Sequence, residues 1–272
     1  MKTLRIGSVP YLNAKPQVDW FHSPECDADV EVTYAVPSAL AQMLADDRLD
    51  VANVSSFEAL QNPHLQIVPG ISISAYGAVK SVRLFSRVPL DGIASVALDT
   101  SSLTSAALTR ILLKELFDIS PRYVHHPPDL AAMLAENDAA LIIGDLKLFD
   151  LLPGTTVFDL GQGWLDLTGL PFVYACWLAR EDRVTPELVL TLERARAWGL
   201  DRLEELAVTW SERMGLPLDR CRDYLTQVMN YDLTAEQIEG LRLFQTKCQQ
   251  HGLIRDLLPL RFIQRHVGAA TV

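Results

Sequence analysis

Between Thr100 and Ser105 the chain reads Thr-Ser-Ser-Leu-Thr-Ser, so five of six consecutive residues carry a hydroxyl. An apolar strand pattern over residues 95–98 precedes the run, and a helical pattern over Leu103–Phe117 follows it. A helix start offers free backbone N–H groups and a partial positive charge. Hydroxyls in the same place add donors, which makes Ser101, Ser102, Thr104 and Ser105 a candidate cradle for a carboxylate or phosphate. A single capping serine with solvated neighbours is the alternative; the number of hydroxyls favours the anion site. The run is not a P-loop, because the glycine spacing and the lysine are missing. Ser55 and Ser56 repeat the arrangement after the strand pattern of residues 51–54. They are expected to face the first cradle from another lobe, with a plain N-cap as the alternative.

Tyr11 and Asn13 follow the first strand pattern, where clefts form in α/β proteins. Asn13 brings both a donor and an acceptor, although an Asx-turn would also explain it. Asp145 follows Gly144 at the end of an apolar strand; it either meets the cleft or caps residues 146–150. Lys80, Ser81 and Arg83 fall in a β-rich run, in which alternation puts Lys80 on one face and Ser81 and Arg83 on the other. Either face, the one with Lys80 or the one with Ser81 and Arg83, would supply a cation to a dianionic substrate, with a solvated strand face as the alternative. His125-His126 is not a ligand pair on an extended strand, where neighbours point to opposite faces.

Residues 159–177 (DLGQGWLDLTGLPFVYACW) combine a Gly-x-Gly step, a tryptophan, a Thr-Gly-Leu-Pro turn and an apolar strand. This turn chemistry reads as a loop that shapes a pocket, with Thr168 and Gly169 at its border, before the chain returns to another domain.

These residues need elements to hold them. With 272 residues, 49% of them apolar and 21% charged, the chain has material for two domains of ordinary size. Its net charge of −10 argues against a nucleic-acid partner and against docking on anionic lipid. No apolar run approaches the roughly 20 residues that span a bilayer. The first residues enter a strand pattern without a signal-peptide core, so a cytoplasmic location is expected. The four cysteines are scattered, with no Cys-x-x-Cys pair and no zinc spacing; no metal and no cofactor are expected.

Strand and helix patterns alternate up to about residue 178, and the chain then turns helical. Thr185-Pro186 is a clean helix start, and Thr234-x-x-Gln237 is a capping box. The fold class read from this order is α/β: a two-lobed, periplasmic-binding-protein-like fold with its ligand cleft between lobes and a helical C-terminal segment. Residues 1–87 with 178–272 form the first lobe and residues 88–177 the second, joined by strands near residues 84–87 and 175–178. A single doubly wound sheet is the alternative.

Several segments resemble the chorismate dehydratases of the futalosine route to menaquinone. They are residues 8–16 (SVPYLNAKP), 37–40 (PSAL), 49–56 (LDVANVSS), 76–86 (YGAVKSVRLFS), 101–105 (SSLTS) and 168–177 (TGLPFVYACW). The resemblance implies a periplasmic-binding-protein type II-like fold recruited as an enzyme, and dehydration of chorismate to 3-[(1-carboxyvinyl)oxy]benzoate, with the two carboxylates held by cradles on opposing lobes. It implies that Asn13 orients the substrate near its C3–C4 bond. It also implies an elimination in which the ring carboxylate is stabilised as charge builds and the enolpyruvyl carboxylate takes the proton. The sister enzyme that forms dihydroxynaphthoate shares the fold but matches these motifs less well. A solute-binding protein for a small carboxylate is the reading from another class. An effector domain of a transcription regulator is a third, disfavoured because no helix-turn-helix with a basic face is present.

Overall fold

In the computed structural model, residues 3–147 and 152–264 are described. Their strands form two separate mixed sheets. The first holds β1 (Leu4–Ser8), β2 (Val30–Tyr34), β3 (Val51–Ser55), β4 (Leu65–Ala75), β10 (Phe172–Arg180) and β11 (Met229–Leu233), in the order β11-β4-β10-β3-β1-β2. The second holds β5 (Val82–Ser86), β6 (Ser95–Asp99), β7 (Arg122–His126), β8 (Ala139–Ile143) and β9 (Thr156–Asp159), in the order β7-β6-β8-β5-β9. In each sheet the early strands pair in parallel, as β1 does with β2 and β3 and β6 with β7 and β8. The strands entering from the other lobe, β10 and β5, pair antiparallel with their neighbours.

The chain therefore passes between sheets at residues 76–81 and 169–171. This corrects the expected crossings. Residues 82–86 are a strand of the second sheet, and residues 172–177 belong to the first. The β-rich run over residues 72–87 divides at this crossing. Its first part continues β4, which runs from Leu65 and turns through Gly70 at φ 81°.

A second correction concerns residues 159–169. They are not a loop but the helix Leu160–Thr168. Asp159 caps it, accepting from the amides of Gly161 at 2.9 Å and Gln162 at 3.2 Å. The glycines serve close packing rather than a turn. A Cβ on Gly161 would sit 2.3 Å from the Gly77 carbonyl, and one on Gly163 would sit 2.4 Å from the Phe158 ring. The turn comes only at Gly169, which ends the helix at φ 73°.

The two crossings are braced together. Asp159 also accepts from Val79 N at 3.0 Å and Lys80 N at 2.7 Å, and the Tyr76 hydroxyl donates to the Gly169 carbonyl at 3.3 Å. Trp164 of the Leu160–Thr168 helix packs edge-on against Phe172 of β10 and Phe244 of the C-terminal helix Ala235–Gln250. One apolar core thus runs from Leu40 in the first lobe to Val96 and Leu141 in the second. The expected capping box is present, with Glu236 N donating to the Thr234 hydroxyl and Thr234 N to the Gln237 side chain. The helical tail also supplies β11, an edge strand that the helical reading had passed over.

Candidate active site

The two hydroxyl-rich helix starts meet. Ser55 precedes the helix Ser56–Gln61 of the first lobe, and Thr104 lies in the first turn of Leu103–Phe117 of the second; their hydroxyls are hydrogen-bonded to each other. Thr104 Oγ1 also accepts from Phe57 N at 3.3 Å and donates to the Tyr174 carbonyl at 3.2 Å. Beside this contact lies a cavity of about 60 Å³. Tyr11, Asn13, Ser55, Ser81, Ser102, Thr104 and Ser105 line it, so the fold brings these seven candidates together.

The other candidates lie outside that wall. Ser56 donates to the Val173 carbonyl at 2.7 Å. Ser101 donates from both its amide and its hydroxyl to Asp99. Lys80 is not on a strand face: it has a left-handed backbone at φ 64° and reaches Asp223 at 2.5 Å, with both side chains more than a third exposed. Thr168 turns back onto the Trp164 carbonyl at 2.8 Å, and Gly169 is the helix-end turn.

Asp145 is just outside the cavity but holds one of its elements in place. Its carboxylate accepts from Leu12 N at 3.0 Å, which pins the turn that carries Asn13 to the second lobe. Burial pushes the Asp145 carboxyl up to about 6, against the Leu12 amide and the Lys15 ammonium, which pull it down. Its possible capping of residues 146–150 falls partly outside the described residues.

Two wall residues, and a third behind the wall, had escaped the sequence reading. Asn53 interrupts the buried strand Val51–Ser55; its side-chain amide donates to Gln17 at 3.0 Å, while its Oδ1 is buried without a partner. A polar side chain inside an apolar strand was the available signal. Tyr174 of β10 also lines the cavity, and its hydroxyl is buried without a partner. Tyr224, from the helical tail, is fully buried and donates to the Ser81 hydroxyl at 2.7 Å. Burial pushes the Tyr224 hydroxyl well up, opposed by hydrogen bonding with Ser81 and Asn13. Asn13 keeps its Oδ1 buried and unpartnered.

The chemical character of the wall follows. Among the described residues no charged side chain lines the cavity; hydroxyls, side-chain amides and apolar groups do. Ser102 caps the long helix, accepting from Ser105 N at 3.2 Å and donating to the Ser105 hydroxyl at 2.8 Å. An anion here would meet neutral donors and a helix N-terminus, which need no counter-charge. Among the described residues no three or more His, Cys, Asp or Glu side chains gather as a metal-holding group. No described helix is long and apolar enough to cross a membrane.

Two α/β lobes, two crossings and a cleft between the sheets define a protein of the periplasmic-binding-protein-like class. A protein of Archaeoglobus fulgidus superposes with a TM-score of 0.75 at 18% identity, covering 93% of this chain and 98% of its own. The periplasmic aliphatic sulphonate binding protein of Escherichia coli does so with a TM-score of 0.63 at 20% identity, covering 95% of each chain. Within this class the chain belongs to the menaquinone biosynthesis family, whose model matches residues 4–250. It is 35% identical over 232 residues to the chorismate dehydratase of Thermus thermophilus, spanning 78% of this chain and 84% of that one. It is 25% identical over 249 residues to the chorismate dehydratase of Campylobacter jejuni, spanning 89% and 96%.

Proposed function

We propose that this chain is a carbon–oxygen lyase that converts chorismate to 3-[(1-carboxyvinyl)oxy]benzoate and water in menaquinone biosynthesis. The observation that carries the reading is the uncharged, hydroxyl-lined cavity where the two lobes meet, in a chain whose matched relatives are chorismate dehydratases.

The C3 proton of chorismate is acidified by conjugation with the ring carboxylate. As the C3–H bond breaks, its electrons move toward that carboxylate. Donors at the start of Leu103–Phe117, with Ser102 and Ser105, stabilise the growing charge. The electrons then return to the ring, the C4–O bond breaks, and proton and hydroxide leave together as water. Aromatisation of the ring drives the step. Asn13 Oδ1 accepts a hydrogen bond from the C4 hydroxyl and orients the leaving group. A side-chain amide is not a base at neutral pH, so the enolpyruvyl carboxylate of the substrate takes the proton. The cavity as it stands has room for only about four or five waters, so substrate enters by parting the lobes and is enclosed when they close.

The test is incubation of the pure protein with chorismate, followed by ultraviolet absorbance and mass spectrometry. Aromatisation with loss of one water is the expected result. Saturable binding of chorismate without turnover would move the chain to the solute-binding reading, and no binding would end both.

A further inference from the structure

We propose a second ligand site, for an aromatic monocarboxylate, in the cavity between the segment that follows Asn13 and the helix Leu203–Met214. This cavity measures about 590 Å³ and shares no lining residue with the cleft. The inference is independent of the dehydratase reading.

Lys15 carries the argument. It is only 4% exposed, yet it has no hydrogen bond or ion pair among the described residues. Its ammonium lies 3.9 Å from the centroid of the Trp210 ring and 4.9 Å from that of Tyr34, and it lines the cavity. Ring faces and the nearby Asp19 and Asp145 carboxylates offset part of the cost of burying an ammonium, but none of them gives it a hydrogen bond, and a buried charge left without one is costly. The neighbouring carboxylate, Asp19, is engaged elsewhere, accepting from Trp210 Nε1 at 2.5 Å. Burial lowers the Lys15 ammonium and raises the Asp19 carboxyl, so both charges are poorly satisfied by what surrounds them. A carboxylate reaching Lys15 from the cavity supplies the missing partner. A second donor without a partner, Trp198 Nε1, belongs to the same wall.

The wall also sets the class of ligand. Arg202 is held by Glu25 at 3.1 Å, which leaves Lys15 and Arg213 as wall cations without a hydrogen bond or ion pair among the described residues and suits a single carboxylate between them. Arg213 stacks on Trp210 at 5.1 Å and is placed to share the carboxylate. The remaining surface, with the Tyr34 ring 37% exposed and Pro10 and Leu206 beside it, suits a flat apolar body rather than water.

The probe is benzoate, with acetate and benzamide as controls, read by tryptophan fluorescence because Trp198 and Trp210 line the cavity. Benzoate should quench saturably and with the same midpoint in the wild type and in Asn13→Ala, which alters only the cleft. Arg213→Ala and Lys15→Met should each raise the midpoint about tenfold or more. Acetate, lacking the ring, and benzamide, lacking the charge, should bind much more weakly. Should Lys15→Met fail to fold by circular dichroism, Arg213→Ala decides alone. Absence of saturable quenching, an unchanged midpoint in the folded variants, or equal binding of either control would overturn the proposal.

Discussion

The hydroxyls of Ser55 and Thr104, each at a helix start and each from a different lobe, are hydrogen-bonded across the cleft. This contact joins the two candidate anion cradles directly. Thr104 adds bonds to Phe57 N and to the Tyr174 carbonyl, so one hydroxyl of the second lobe serves three groups of the first.

Thr104→Val keeps the shape and removes that hydroxyl. Denaturant unfolding should show a loss of about 1–3 kcal/mol, because buried partners are left unmatched. KM for chorismate should rise more than kcat falls. A variant with both unchanged would show the contact to be incidental.

Asn13→Ala should lower kcat by about 100-fold or more with a smaller effect on KM, as for a group that acts mainly in the transition state. Steady-state kinetics separates the two. Equal kcat in the two proteins removes Asn13 from the mechanism.

Asp145→Asn should change how stability depends on pH. The Asp145 carboxyl titrates near 3.8 in its ordinary state and near 6 when folded, because of burial. Between those values the folded chain holds the extra proton, so this group's contribution to stability falls as pH rises and is level above the window. The shift corresponds to about 3 kcal/mol. The asparagine variant should therefore gain on the wild type by about that amount between pH 4 and pH 7, measured by urea unfolding at each pH. A pH-independent difference would refute the assignment.

Gly161→Ala should cost about 1–3 kcal/mol, because its Cβ would meet the Gly77 carbonyl at 2.3 Å. Gly169→Ala should cost about 1 kcal/mol, by backbone strain at φ 73° with nothing within 4 Å of its Cβ. Thermal unfolding ranks the two, and the reverse order would contradict the packing account.

Lys80→Ala should leave KM for chorismate nearly unchanged. Its ion pair with Asp223 is more than a third exposed on both sides, and such pairs contribute about 0–1 kcal/mol. A large rise in KM would place Lys80 in contact with substrate after all.

The local signals in the chain were sufficient for the hydroxyl-rich helix starts at Ser55 and Ser102, the capping box at Thr234 and the alternation that makes two α/β lobes. Each rests on neighbouring residues, because capping and periodicity act within a turn or two of chain. The family motifs in the first 180 residues belong to the same legible part. What the tertiary structure decided rests on long-range contacts. Gly161 and Gly163 stand inside a helix as glycines because a Cβ at either would meet the Gly77 carbonyl or the Phe158 ring. Residues 229–233 form a strand because β4 offers them an edge. Tyr224 braces Ser81 of the site from a tail whose local sequence shows only helix. Lys80 leaves the cleft because Asp159 holds the crossing that carries it. Which hydroxyls face the cavity was likewise settled by packing between lobes, since a run such as Thr-Ser-Ser-Leu-Thr-Ser states how many donors there are but not where each one turns.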